Sequence, residues 1–339
     1  MTILASPKTH MAMVYDQPGK VSIKRISIET PEPGAGQVLV RLTHTGVCHS
    51  DHGLMTNAWA RYPRPTLAGQ IGGHEGVGYV VRLGTGLEGS SIMLGTRVGV
   101  KFVHNISGYY TPGTFQEYCL APANYVTPIP DEVQSHLAAP LLCAGLSAYS
   151  ALKKARVSPG DWVVVFGAGG GVGHLVCQMA ARVFSLRVIG IDFKEKETLV
   201  RSCGVETYLA LEETKSLVNS VKAETNELGA AAALVCTGED SAYSQALDML
   251  RFNGVLVVVG VQEGKERPIE NACPNAFLFN QSMIVGSSVG NYGEAVEVMN
   301  LARRGLIQTH VQVDKLDNLQ AVFELMEKQE IRGKVVLEI

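Results

Sequence analysis

The chain has 339 residues, of which 46% are hydrophobic and 18% charged, and its formal net charge is −3. This length and composition are typical of a globular protein with one large or two ordinary domains. The sequence has no basic block and no run of the ~18–20 apolar residues that span a membrane, so we expect no nucleic-acid or membrane partner. Seven scattered cysteines and an opening segment without a signal sequence predict a cytoplasmic protein.

The first third of the chain, from about 11 to 130, is rich in short β-strand patterns. Runs such as "QVLVRLTHTGV" and "GVGYVVRLG" are separated by the turn segments "PEPGAG" and "GTG". The segment "SHLAAPLLCAGLSAYSALKKA" then predicts one long helix.

Between about 161 and 289, apolar strands alternate with amphipathic helices. "DWVVVFG", "AAALVCTG" and "GVLVVVGV" lack the polar alternation of a half-exposed strand. Strands buried on both faces in a βαβ series predict a parallel sheet covered by helices. Two more helices, near 293–305 and 317–329, precede a last strand, "KVVLEI". The fold class is therefore α/β, with a β-rich part and a doubly wound part.

A glycine-rich loop lies between the first buried strand and the next helix. "DWVVVFGAGGGVGHLV" places glycines at 167, 169, 170, 171 and 173. A bare backbone there can approach a pyrophosphate, which the helix N-terminus stabilises. The turn is one residue longer than G-x-G-x-x-G, but its strand–turn–helix context predicts dinucleotide binding.

The following strand ends in a carboxylate, Asp192, 25 residues after Gly167. A carboxylate at this position accepts hydrogen bonds from the adenosine ribose and repels a 2′-phosphate. No arginine follows it, so NAD is favoured over NADP. The alternative is a solvated aspartate at a strand end.

Cysteine and histidine recur outside the glycine-loop region. Two thiolates and an imidazole, from Cys48, His74 and Cys143, suit tetrahedral Zn²⁺ with an open fourth position. Spacing alone does not bring three such distant residues together. A single cysteine such as Cys143 is also an ordinary core residue.

The segments "GVCHSD", "GGHEGVG" and "LLCAGLSAY", ahead of the glycine loop, resemble the zinc-dependent medium-chain alcohol dehydrogenases, particularly the yeast-type branch. The resemblance runs from "MVYDQPG" to "IRGKVVLEI". It implies a GroES-like catalytic domain, 1–146 completed by 290–339, and a Rossmann dinucleotide-binding domain at 147–289.

The resemblance also implies roles for individual residues. Cys48, His74 and Cys143 would be the zinc ligands, with Glu75 as a carboxylate that can swing in. Ser50 would contact the substrate hydroxyl. Other implied contacts are Asp51 behind a ligand imidazole, His49 at the pyrophosphate, Ser147 behind the nicotinamide, Gly170, Gly171 and Val172 in the loop, Asp192 and Lys196 at the ribose, Val259, Val261, Ser287 and Val289 at the nicotinamide end, and Lys334 at a phosphate.

Three departures limit this transfer. The four-cysteine lobe that holds a structural zinc in the family is missing, since "VGVKFVHNISGYYTPGTFQEY" reaches only Cys119, so we expect one catalytic zinc and no structural zinc. The relay histidine five residues after the first ligand is replaced by Gly53, and His52 precedes it. In the substrate pocket, Trp59 is paired with Phe102 instead of a second tryptophan, which suggests more room.

The predicted function is zinc- and NAD-dependent interconversion of an alcohol and its aldehyde or ketone, by a homo-oligomer that is a dimer or a tetramer. A first alternative is an enoyl- or quinone-type reductase that acts on a conjugated C=C without metal. A second is a non-catalytic binding protein on the same scaffold, since fold alone does not define function. The retained ligand set and cofactor loop argue against both.

Overall fold

The computed structural model describes residues 6–60, 62–101 and 108–339. The chain divides into two compact units. The first comprises Met1–Cys143, Asn291–Arg303 and Thr309–Ile339, and the second comprises Ala144–Gly290 and Arg304–Gln308.

The strands of the described residues follow in chain order. They are β1 (Thr9–Tyr15), β2 (Ile23–Glu29), β3 (Gln37–Val47), β4 (Glu75–Leu83), β5 (Arg97–Lys101), β6 (Tyr118–Pro122), β7 (Thr127–Pro128), β8 (Trp162–Phe166), β9 (Arg187–Asp192), β10 (Thr207–Ala210), β11 (Ala230–Val235), β12 (Leu250–Val258), β13 (Met283–Gly286), β14 (Val311–Lys315) and β15 (Lys334–Glu338).

The α-helices are α1 (His49–Met55), α2 (Ser135–Ala138), α3 (Ala144–Lys154), α4 (Gly173–Arg182), α5 (Glu197–Ser202), α6 (Leu217–Glu224), α7 (Asp240–Asp248), α8 (Pro274–Asn280), α9 (Tyr292–Arg303) and α10 (Leu319–Glu327). Short 3₁₀ helices cover Ala139–Leu142, Lys194–Lys196 and Leu316–Asn318. Among the described residues, no single helix is long and apolar enough to span a membrane. The helical segments 135–142 and 144–154, taken together as a bent pair, have sufficient length and apolar composition, but this is the only indication.

The first unit is built around the long strand β3. Its sheet has the order β14-β15-β3-β4-β5-β7, and β6 pairs with the N-terminal half of β3. The C-terminal half of β3 pairs antiparallel with β15 and β4, so Val47 lies opposite Val335 and Thr45 lies opposite Gly76. This pairing brings the ends of three strands that are distant in sequence to the start of α1.

The second unit contains one six-stranded parallel sheet, in the order β10-β9-β8-β11-β12-β13. The middle strands are buried, apart from the half-buried Trp162 at the start of β8, as their unbroken apolar sequences predict. Strand order reverses between β8 and β11, and ligands of such sheets bind at this reversal, outside the carboxyl ends of the strands. The observed sheet confirms the predicted doubly wound α/β architecture.

The single long helix predicted at 135–155 is wrong. The segment forms α2, then a 3₁₀ turn containing Pro140, and then α3. Pro140 has no N–H to donate within a helix, and Cys143 leaves helical geometry at φ −123°, ψ −68°. Cys143 therefore lies at a break between two helical segments rather than within a helix.

Candidate metal and cofactor sites

The first unit brings four potential metal ligands together. The ligand atoms of Cys48, His74, Glu75 and Cys143 all lie within 4.8 Å of one another. Nε2 of His74 is 3.3 Å from Sγ of Cys143. His74, Glu75 and Cys143 are buried, and Cys48 is partly exposed, so the cluster can be reached from one side.

Cys48 owes its position to the junction between β3 and α1. It is the N-cap of α1, with extended dihedral angles of φ −117° and ψ 151°. Its backbone N–H donates to Oδ2 of Asp51 at 3.0 Å, an arrangement that closes the first turn of the helix. Ser50 follows in this turn, with its Oγ 3.7 Å from Sγ of Cys48. A hydroxyl is thus held beside a thiolate ligand.

Asp51 also orients the imidazole of His74. Its Oδ1 lies 2.9 Å from Nδ1 of His74 and accepts the N–H of Gly73 at 3.1 Å. A carboxylate can only accept, so Nδ1 carries the proton and Nε2 is directed at the cluster. Burial lowers the pKa of His74, but the charge and hydrogen bond of Asp51, together with Cys48, outweigh burial and raise that pKa well above its usual value.

The hydrogen bond between the two thiols shifts their pKa values in opposite directions. The hydrogen bond from Cys143 lowers the pKa of Cys48 well below its ordinary value, aided by the positive charge of Lys334 and against the effect of burial. The same bond, together with burial, raises the pKa of Cys143. Cys48 therefore ionises more readily than Cys143.

Glu75 is held by a buried ion pair. Nζ of Lys334 donates to its Oε1 at 2.7 Å, and both side chains are almost fully buried. Burial raises the pKa of Glu75 to about 7, although the charge of Lys334 opposes this shift. Its Oε2 is buried and has no hydrogen-bond partner among the described residues.

The donor set fits Zn²⁺. Two sulfurs and an imidazole nitrogen are ligands that zinc prefers, and the carboxylate lies within reach as a fourth. Oε2 of Glu75, which is buried without a hydrogen-bond partner among the described residues, keeps its lone pairs free for a further contact. A bound divalent cation would compensate both this oxygen and the thiolate.

Two supporting contacts were not anticipated from the sequence. A Cβ at Gly46 would lie 1.9 Å from Oε2 of Glu75, so a glycine is required opposite this carboxylate. The hydroxyl of Tyr15 donates to the backbone oxygen of Asp51 at 3.2 Å. No local pattern reveals either contact, because Gly46 and Glu75 are 29 residues apart and Tyr15 and Asp51 are 36 residues apart.

His52 and Gly53 occupy different surroundings in α1. Nε2 of His52 lies 3.3 Å from Oε1 of Glu327, and its ring packs near Phe323 of α10. Gly53 lies against the indole of Trp59. Phe102, the predicted partner of Trp59, lies outside the described residues.

Cys119 is separate from the metal cluster. It is buried, its thiol contacts the carbonyl oxygens of Pro112 and Leu120, and burial raises its pKa to about 12. It remains a neutral thiol at physiological pH.

In the second unit, the glycine loop joins β8 to α4. Gly167 has φ +71°, and a Cβ at Gly173 would lie 2.0 Å from the carbonyl oxygen of Gly167, so this close turn requires glycines. The N–H of Gly169 donates to Oδ2 of Asp192 at 2.8 Å. Nζ of Lys196 lies 3.3 Å from Oδ1 of Asp192. Asp192 is buried at the end of β9 rather than solvated.

The remaining predicted cofactor residues are divided between the two units. Gly170, Gly171 and Val172 lie in the loop ahead of α4, and Ser147 is buried in α3. Ser287 is buried after β13, where its Oγ accepts from Nζ of Lys154 at 3.1 Å. Val259 and Val261 follow β12, His49 is exposed in α1, and Lys334 is bonded to Glu75.

Val289 has an unusual backbone conformation. Its φ of +45° lies in the left-handed region, where a β-branched residue is a genuine outlier. Such strain is concentrated at functional sites. This conformation agrees with a ligand-facing role for the segment after β13.

Comparison with known proteins places the chain in a family. Residues 34–131 match the alcohol dehydrogenase GroES-like domain, and residues 171–304 match the zinc-binding dehydrogenase domain. The chain is 46% identical to alcohol dehydrogenase 2 of Emericella nidulans, with 98% of each chain covered. It belongs to the zinc-type medium-chain alcohol dehydrogenase family.

Solved structures agree with this assignment. The alcohol dehydrogenase of the hyperthermophilic archaeon Aeropyrum pernix superposes with a TM-score of 0.85 at 27% identity, covering 97% of this chain and 100% of that one. Acetophenone reductase from Geotrichum candidum, solved in complex with NAD, superposes with a TM-score of 0.84 at 25% identity, covering 99% and 98%. The resemblance noted in the sequence is thereby confirmed at the level of the family and fold.

Proposed function

We propose that this protein is an NAD-dependent alcohol dehydrogenase that interconverts an alcohol and its aldehyde or ketone at one catalytic zinc per chain. The observation that carries the proposal is the convergence of Cys48, His74 and Cys143, with Glu75 beside them, in the first unit. The family membership supports the same reaction class.

Zinc bound to these ligands would supply Lewis acidity and lower the pKa of the substrate hydroxyl. The chain's own residues then have distinct tasks. Ser50, placed beside Cys48, accepts the hydroxyl proton at its Oγ while it releases its own hydroxyl proton toward solvent, so it remains neutral. Asp51 keeps the imidazole of His74 in the ligating orientation, and Lys334 holds Glu75 through one oxygen. In the balanced reaction the alcohol loses a proton and a hydride, and NAD⁺ becomes NADH.

The preference for NAD rests on the second unit. The carboxylate of Asp192 lies at the end of β9 and touches the glycine loop through Gly169. It favours ribose hydroxyls and repels a 2′-phosphate, while Lys196 beside it offers a further donor. The loop residues Gly170, Gly171 and Val172 would meet the pyrophosphate. Ser147, Val259, Val261, Ser287 and Val289 would surround the nicotinamide.

The proposal includes one zinc per chain and no structural zinc, because the sequence offers only Cys119 where the family lobe has four cysteines. We further propose a homo-oligomer located in the cytoplasm, with Trp59 lining the substrate pocket.

The test combines measurement of bound zinc with a comparison of an aldehyde and an enone as hydride acceptors. Purified protein should contain one zinc per chain by mass spectrometry of the metal, and should reduce NAD⁺ with a simple alcohol. Cys143→Ser should lose both zinc and turnover, whereas the control Cys273→Ser, at an exposed thiol, should retain both. Two zinc ions per chain would contradict the single-site proposal. Chelator-resistant reduction of an enone, without reduction of an aldehyde, would instead identify the metal-independent reductase.

A further inference from the structure

A histidine is buried in the first turn of α4, directly after the glycine loop. His174 is the second residue of this helix and is fully buried. The buried positions around it in the helix are mainly apolar, such as Leu175, Val176 and Met179. Burying an imidazole is costly unless its polar atoms form hydrogen bonds. The bond that its ring makes therefore indicates what this side chain does.

The ring of His174 holds a carbonyl of the glycine loop. Its Nδ1 lies 2.8 Å from the carbonyl oxygen of Gly170, and a carbonyl can only accept, so Nδ1 carries the proton and donates. The backbone N–H of His174 donates to the same oxygen at 3.2 Å. Gly170 is also held from its other side, because its own N–H donates to the carbonyl oxygen of Gly167 at 3.0 Å. One residue of the helix thus binds the Gly170 carbonyl through two donors.

The direction of this carbonyl determines the direction of the next N–H group. In a trans peptide the C=O of one residue and the N–H of the following residue point in opposite directions. Because the oxygen of Gly170 points at His174, the N–H of Gly171 points away from it. Gly171 is half-buried, and its N–H donates to no protein acceptor among the described residues. Such a donor, ahead of a helix N-terminus, is available to an anionic ligand.

We propose that His174 is a positioning residue for the cofactor: it fixes the carbonyl of Gly170 and thereby presents the N–H of Gly171 to the pyrophosphate of NAD. The inference rests on the proposed function. Without the imidazole, only the longer backbone bond would hold this carbonyl, and the peptide between Gly170 and Gly171 would gain freedom to rotate. The loop would then have to be ordered each time a pyrophosphate binds, which weakens binding.

The test compares His174→Leu with His174→Asn. Leucine fills the buried space without a donor, whereas the amide nitrogen of asparagine is as many bonds from Cβ as Nδ1 is and can donate to the same carbonyl. One hydrogen bond corresponds to about a two- to tenfold change in affinity. His174→Leu should raise the dissociation constant of ADP-ribose by this factor, and His174→Asn should recover most of the loss. Isothermal titration calorimetry measures both.

Two controls separate the positioning of the loop from general damage to the helix. Adenosine lacks the pyrophosphate, so its dissociation constant, measured by competition with ADP-ribose, should not change in His174→Leu. Gln178→Leu removes another buried polar side chain from α4, one that bonds to the backbone of Gln308 at 2.8 and 2.9 Å. It should lower the free energy of unfolding but leave the ratio of the two dissociation constants unchanged. An equal loss of affinity for adenosine and ADP-ribose in His174→Leu would overturn the proposal.

Steady-state kinetics separates this inference from the proposed function. In His174→Leu the KM for NAD⁺ should rise by the same factor without a fall in kcat, because the proposed zinc ligands belong to the other unit. A fall in kcat at an unchanged KM would refute the role of His174 alone. A parent protein that binds ADP-ribose but oxidises no alcohol would refute the function, while the ADP-ribose affinities of the variants would still test His174.

Discussion

Oδ1 of Asp51 lies 2.9 Å from Nδ1 of His74, and both side chains are buried. One carboxylate therefore sets the tautomer of a proposed ligand and, through its other oxygen, closes the first turn of α1 at Cys48. Two ligands from separate segments depend on this residue.

Asp51→Asn should weaken zinc binding by about 10–100-fold, the range found for residues that orient metal ligands. The amide retains the size of the carboxylate but loses its charge, and it cannot accept at both oxygens. Competition with a chromogenic chelator measures the affinity. Asp131→Asn, at an exposed loop position, should leave the affinity unchanged. An unaltered zinc affinity in Asp51→Asn would show that the hydrogen bond between Asp51 and His74 does not contribute to zinc binding.

Removing Lys334 should destabilise the fold strongly. Lys334→Met leaves the carboxylate of Glu75 buried without its cation, and such a loss typically costs about 3–5 kcal/mol in the free energy of unfolding. The double variant Lys334→Met/Glu75→Gln should recover much of that loss, because it has no buried charge without a partner. Urea titration measures both.

An exposed ion pair supplies the control for this experiment. Arg25→Met breaks the surface contact with Asp317 and should cost below about 1 kcal/mol. If Lys334→Met cost no more than Arg25→Met, the buried pair would be unimportant for stability.

Because of Lys101, the free energy of unfolding should increase with pH above about pH 8. Burial lowers its pKa to about 8, against about 10.4 in the unfolded chain, even though Nζ donates to Oγ1 of Thr127 at 3.0 Å. Between these two pKa values the unfolded state binds more protons, so the free energy of unfolding increases as pH rises through this window. The contribution is on the order of 1–3 kcal/mol.

Lys101→Met removes the titrating group while keeping the length of the side chain. The difference in unfolding free energy between variant and parent should therefore shrink from pH 7.5 to pH 10, as measured by urea titrations at several pH values. Lys20→Met, at an exposed lysine, should follow the parent throughout. A constant difference for Lys101→Met would mean that this ammonium is not perturbed.

Asp192→Asn should relax the choice of cofactor. The amide can still accept the N–H of Gly169 but no longer repels a 2′-phosphate. The ratio of kcat/KM for NADP to that for NAD should rise about tenfold, which corresponds to ~1.4 kcal/mol of lost repulsion. Glu195→Gln removes a nearby exposed charge and should change the ratio little. An unchanged ratio for Asp192→Asn would assign discrimination to other residues.

Local patterns were sufficient to predict the parallel sheet, the glycine loop and the strand-end positions of Cys48 and Asp192, because the sequence signals for them lie within segments of a few residues. The break at Cys143 was missed, since its flanking residues favour a helix and only Pro140 signals an interruption. The pairing of Glu75 with Lys334 joins residues 259 apart, and no periodicity in the sequence encodes it.

The resemblance to a family identified the zinc ligands. It did not show what the replacement of the relay histidine by Gly53 changes in the structure. Gly53 could be recognised as a departure from the relay pattern. The indole of Trp59 occupies the space next to Gly53 because of the turn that follows α1. The sequence alone does not define that turn.

The hydrogen bonds around Asp51 join two of the proposed ligands, Cys48 and His74, through protein atoms alone, so the geometry of this pair is fixed when the chain folds and not when an ion arrives. Apoprotein prepared by chelation should consequently keep its native circular dichroism. Its reloading would then be a single bimolecular event whose speed scales with the concentration of free zinc, without a slow refolding phase.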